Sequence, residues 1–93
     1  MGKESKLEKD VSAFARRKGC YVRKFKSPNQ RGVPDKLFLT PFGKVFFIEF
    51  KSPNKKPTEL QKREIREIIS RKGNAFVVDN YDQGVEIVKS FLA

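Results

Sequence analysis

Between residues 5 and 18 the apolar side chains Leu7, Val11, Phe14 and Ala15 recur at the three- and four-residue intervals of one helix face, and Gly19 follows as a C-terminal stop. Residues 20–25 are rich in Tyr, Val and Phe and read as a short strand, after which the polar run SPNQRG turns the chain. Two more strands are expected at 34–40 and 44–51. The residues joining them, Pro41, Phe42 and Gly43, suit a type I turn closed by a residue in the left-handed region. Pro57 stands where helices begin, and Leu60, Ile65, Ile68 and Ile69 give a second amphipathic helix ending at Gly73. The apolar run at 74–79 predicts a fourth strand, and 82–92 a closing helix. The order is αβββαβα. Because a helix joins the third and fourth strands, those two are expected to run parallel, giving a mixed sheet flanked by helices in a single α/β domain over residues 1–93.

The hairpin carries the chemistry. If Thr40 faces Lys44 across the three-residue turn, Leu39 meets Val45, Leu37 meets Phe47 and Asp35 meets Glu49. Carboxylates opposed across a sheet, with Cβ atoms roughly 4.5–5.5 Å apart, repel each other, so a cation is expected between them. The strand period also puts Lys51 on the face of Glu49, while Phe46, Ile48 and Phe50 point to the other face and into packing. Taken singly, Asp35 reads as a solvent-side strand start and Glu49 as a surface partner of Lys51. Their joint placement favours a divalent metal. Mg²⁺ takes hard oxygen ligands, and Asp35, Glu49 and the backbone carbonyl of Phe50 would leave room for a phosphate oxygen and an attacking water. Lys51 would orient that water and offset charge in the transition state.

Gln61 is an independent signal, since its helical angle falls near the centre of the apolar arc of the second helix although it is polar. A buried amide needs partners, which are either the site, a phosphate or only the helix backbone.

Composition narrows the partner. The chain has 93 residues and a formal charge of +10, from 21 Lys and Arg against 11 Asp and Glu, a balance that points to a polyanion and above all to nucleic acid. Lys24, Lys26 and Arg31 precede the metal aspartate, and Lys55, Lys56, Lys62 and Arg63 follow the metal glutamate, so both clusters are expected to grip phosphates without reading sequence. With no histidine and a single cysteine, Cys20, a structural zinc site, a His-based triad and an internal disulfide are excluded. No stretch is apolar enough for a secretory signal or a membrane span, so a reducing, cytoplasmic setting in a prokaryote or under phage infection is expected.

GVPD at Gly32 to Asp35, followed by EFK at Glu49 to Lys51, resembles the PD-(D/E)xK nuclease signature, in its GVPD form the virus-type replication-repair nuclease (VRR-NUC) branch. The resemblance extends over the preceding and following helices and so over most of the chain. It implies a restriction-endonuclease-like fold, Mg²⁺ or Mn²⁺ as the metal, and hydrolysis of DNA phosphodiesters. It also implies a first-helix glutamate that assists the metal or its water, matched by Glu8 with Glu4 one turn earlier as a rival, and a helix-two glutamine, matched by Gln61. Small relatives, archaeal Holliday junction resolvases among them, act as homodimers on branched DNA. Phe42 and Phe46, as aromatics in excess of what so small a core can bury, weakly favour a dimer too. The expectation is a Mg²⁺-dependent structure-selective endonuclease. A non-catalytic nucleic-acid-binding module would explain the charge but not the facing carboxylates, and a sequence-specific restriction-type nuclease would differ in depending on sequence rather than branching.

Overall fold

The structure, a computed structural model, describes residues 2–93. Seven elements follow in the expected order: α1 (Lys3–Arg17), β1 (Tyr21–Lys24), β2 (Lys36–Leu39), β3 (Val45–Phe50), α2 (Glu59–Ser70), β4 (Ala75–Val78) and α3 (Tyr81–Ser90). The strands form one sheet in the order β1-β2-β3-β4. The first two pairings are antiparallel and β3 with β4 is parallel, as a helical crossover requires.

The hairpin register is the one the turn dictates, with Leu39 opposite Val45, Leu37 opposite Phe47 and Lys36 opposite Ile48. Thr40 N–H donates to Lys44 C=O at 2.9 Å and Gly43 N–H to Thr40 C=O at 3.0 Å. Gly43 takes the left-handed φ of 83° that closes the turn.

One face of the sheet is covered by α1 and α3. There Phe46 stacks on Phe38, with ring centroids 4.8 Å apart, and on Phe91 after α3 at 4.6 Å. Val11, Val22, Phe38, Phe46, Ile48, Phe50, Val78 and Val88 lose essentially all contact with solvent. Burying even one such phenyl ring is worth about 1.5–3 kcal/mol. Phe46 is therefore core, and of the two surplus aromatics only Phe42, 66 % exposed at the hairpin tip, stays in solvent. α2 lies over the opposite face, beside β4, and buries none of its residues fully.

Element ends differ from the sequence expectation in three places. Thr58, one residue after Pro57, caps α2: its hydroxyl accepts from Gln61 N–H at 3.1 Å. At the far end α2 stops at Ser70 and Lys72, at φ 68°, takes the left-handed role expected of Gly73. β2 begins at Lys36, so Asp35 sits in the bend just before the strand. Among the described residues no helix is long and apolar enough to cross a membrane.

Candidate active site

The strand-end position of Asp35 leaves it facing Glu49. Lys36 pairs with Ile48, so the next residues outward, Asp35 and Glu49, occupy opposed positions on the same side of the hairpin. Glu49 is only 8 % exposed although it is an acid on a strand whose alternate residues Phe46, Ile48 and Phe50 fill the core. Burial, and then the negative charge of Asp35, push its carboxyl up to about 7, against a smaller opposing pull from Lys51. Asp35 is raised as well, first by burial and then by the charge of Glu8, while the backbone N–H groups of Asp35 and Phe50 draw it down. Its Oδ1 is buried without a hydrogen-bond partner among the described residues. Two raised carboxylates and an orphaned buried oxygen are groups that could hold a cation.

Gln61 reaches this pair from the first turn of α2. Its Oε1 accepts from Thr58 N–H at 2.9 Å, completing a reciprocal capping box, and its Nε2 donates to Glu49 Oε2 at 3.1 Å. The two roles the sequence left open are thus performed by the two ends of one amide. Because its carbonyl is engaged by the helix cap, the amide presents its NH₂ end to the carboxylate, which fixes the orientation of Glu49.

Glu8 lies on α1 with its carboxylate 3.3 Å from Lys36 Nζ and 3.9 Å from Lys24 Nζ. Its charge is felt at Asp35 but, among the described residues, it does not complete a three-carboxylate cluster. Glu4, one turn nearer the N-terminus, raises both Asp35 and Glu49 through its charge. Lys36 is the residue that sequence reasoning passed over. It is 8 % exposed, and its signal was an inward-facing charge directly after Asp35 in a strand otherwise of Leu and Phe, a position that demands a partner.

Lys51 sits half-buried beside Glu49, its N–H donating to Val78 C=O at 2.9 Å. Phe50 points its ring into the core, leaving its peptide unit between the acid and the lysine. Lys24, Lys26, Arg31, Lys55, Lys56, Lys62 and Arg63 are all exposed. Lys24 leans towards Glu8 and Lys62 pairs with Glu59 at 3.4 Å within α2.

An acid before the second strand, an acid and a lysine at the end of the third, and a glutamine on the following helix together define a nuclease core of the PD-(D/E)xK class. No family model matches the chain. A curated relative, "Putative nuclease p44" of Acyrthosiphon pisum secondary endosymbiont phage 1, is 39% identical over 80 residues, 86% of this chain and 86% of that protein. A solved VRR_NUC domain superposes with a TM-score of 0.89 at 30% identity, covering 98% of this chain and 99% of its own. A second solved VRR_NUC domain protein, at 16% identity and a TM-score of 0.79 over 99% of this chain and 89% of that one, shares the fold. The chain belongs to the VRR_NUC family of nuclease domains.

Proposed function

We propose that this chain is a divalent-metal-dependent DNA endonuclease that selects its substrate by structure, acting on branched DNA, four-way junctions included, as a homodimer. The observation that carries the reading is the facing pair Asp35 and Glu49, in which burial, and then the charge of Asp35, lifts Glu49 to about 7.

The donor set fits a hard metal. The candidate ligands are all oxygens, and among the described residues Asp35 Oδ1 is buried without a hydrogen-bond partner. Asp35, Glu49 and the Phe50 carbonyl would hold Mg²⁺ or Mn²⁺, with Glu8 assisting through the metal or its water. Such an ion, when bound, polarises a phosphate oxygen and makes a coordinated water acidic enough to attack near neutral pH.

The chain's own residues do the rest. Gln61 holds Glu49 in one orientation through the bond at 3.1 Å. Lys51, whose charge is felt at Glu49, positions the attacking water and offsets the negative charge that builds on the phosphate. The exposed lysines and arginines flanking the pair hold the DNA backbone, a contact that weakens steeply with added salt.

One site cuts one strand, so symmetric resolution of a junction takes two protomers. A surface available for pairing lies at the hairpin end of the sheet, where Tyr21, Val45 and Phe42 are 51%, 40% and 66% exposed. Incubation with Mg²⁺ and a panel of linear, flapped and four-way DNA tests the reading: cleavage should favour branched forms. Asp35→Ala should abolish cleavage while DNA affinity persists. A wild-type protein that binds DNA but shows no metal-stimulated cleavage would make it a binding module instead.

A further inference from the structure

Between the end of β1 and the aspartate of the site, the loop 26–33 walls a hollow of about 380 Å³ lined by Phe25, Lys26, Pro28, Gln30, Val33 and Asp35. Its size falls within the roughly 300–1,000 Å³ typical of small-molecule sites. Phe25 is 38% exposed, and its aromatic contact, a T-shaped one with Phe47 at 5.2 Å, fixes the ring without covering it. Phe25 N–H donates to Asp35 C=O at 2.8 Å, so the ring is tied to the backbone of the proposed metal aspartate.

The wall is clamped rather than loose. Gly32, at φ 84°, presses so closely on α2 that a Cβ there would stand 2.6 Å from the Leu60 carbonyl. Gln30 Nε2 donates to Glu64 at 3.4 Å. A fixed aromatic ring, an exposed lysine next to it in the chain and an acidic centre on the rim form a sequence along which a nucleotide can be laid.

We propose that this hollow receives an unpaired nucleobase of the DNA strand being cut, stacked on Phe25, while Lys26 guides the adjoining phosphate towards Asp35. The inference rests on the endonuclease reading and supplies what that reading lacks, a physical basis for structure selectivity. A base inside a duplex is already stacked and paired, and bringing it into the hollow would require extruding it. A base in a flap or bulge is free to enter, and one beside the branch point of a junction, though paired, is held less firmly than a base inside a duplex. Every base has a π-face, so such a site would sense exposure of a base and not its identity.

The test uses single-stranded DNA carrying 2-aminopurine, and its perfect duplex, titrated with the full chain in EDTA. Stacking on Phe25 should quench the single strand's fluorescence and leave the duplex little changed. Phe25→Leu should weaken single-strand binding about tenfold, the scale of one base–aromatic stack, whereas Phe25→Tyr, which keeps the ring and its packing, should retain it. Equal quenching by wild type and Phe25→Leu, or equal quenching of duplex and single strand, would overturn the proposal. A cleavage arm with Mg²⁺ separates the two readings. If wild type cleaves and Phe25→Leu keeps the same preference for unpaired sites, the hollow is refuted and the nuclease stands. If quenching follows the ring but no DNA is cut with Mg²⁺ or Mn²⁺, the nuclease reading fails while the nucleobase site stands.

Discussion

Replacing Glu49 by glutamine should make the metal-free protein more stable, and only above mildly acidic pH. The folded carboxyl sits at about 7 against an ordinary value of 4.5. Below about pH 4.5 it is protonated whether the chain is folded or not and costs nothing. Between there and about pH 7 the unfolded chain releases the proton while the folded chain keeps it, so stability falls as pH rises, and above about 7 the full penalty is present. The gap of about 2.5 units corresponds to at most about 3 kcal/mol. For a domain of this size that is a melting shift on the order of 10–20 °C. The chain has no histidine and burial pushes the Cys20 thiol up and out of this window, so the other group that is raised towards it is Asp35, whose contribution has the same sign and remains in the variant. Glutamine at 49 keeps a carbonyl to accept from Gln61 Nε2 and removes the charge. Thermal melts by far-UV circular dichroism in EDTA should show the wild-type midpoint dropping between about pH 5 and 7.5, with a shallower and higher curve for Glu49→Gln, in which Asp35 still titrates. Mg²⁺ or Mn²⁺ added near pH 8 should raise the wild-type midpoint and leave the variant's unmoved. A wild-type midpoint that climbs with pH across this interval would show that Glu49 is not raised in the folded state, and the case for a cation beside it would fail.

Gln61→Leu should lose both the helix cap and the bond to Glu49, lowering stability by about 1 kcal/mol and cleavage well beyond what that loss explains. Gln61→Glu can still close the capping box but sets a third acid against Glu49 Oε2, so it should lose activity and also lose stability as pH rises, measured by melts and cleavage rates side by side. Lys36→Met leaves Glu8 with Lys24 alone, at 3.9 Å and largely in solvent, and should cost about 1–3 kcal/mol in urea unfolding. Adding Glu8→Gln should restore most of that, whereas simple addition of the two losses would show that the pair is not coupled. Gly32→Ala drives a Cβ into the Leu60 and Gln61 backbone at a left-handed φ. It should destabilise by more than about 1 kcal/mol and impair cleavage disproportionately, because the loop it displaces carries Asp35.

The hairpin and its carboxylates were legible because two short-range rules coincide there. Turn chemistry at Pro41, Phe42 and Gly43 sets the register, and the strand period then decides the partner of every residue as far as Asp35 and Glu49. Helix ends were less so. Pro57 and Gly73 are the residues that propensity favours, but the hydroxyl of Thr58 can satisfy an orphan amide that proline's ring cannot, and the left-handed position falls at Lys72, while Gly73 packs so close to Ile68 that a Cβ would not fit. Gln61 apart, partners contributed by distant elements were not legible. Nothing in the helical pattern around Glu8 says that a lysine from β2 meets it. Counting Phe46 among surplus aromatics was at odds with the strand period, which turns it into packing; what the pattern did not show is that Phe91, far along the chain, stacks against it.

The first turn of α2 draws these strands of reasoning together. α2 has no fully buried residue, so it adds little to the core. Yet its Thr58 and Gln61 close the cap, the same Gln61 steers Glu49, and the backbone at Leu60 is the surface on which Gly32 seats the loop leading to Asp35. The two acids therefore come from different strands, but both are referred to one helical turn. A repelling pair of buried carboxylates would otherwise spread apart, and the sheet alone, whose pairing at β2 ends at Lys36, does little to prevent it. Holding one acid by a hydrogen bond and the loop of the other by steric contact against the same turn keeps the pair together, as the proposed cation site would require. That explains why the most solvated helix of the domain is placed over its most chemically demanding corner.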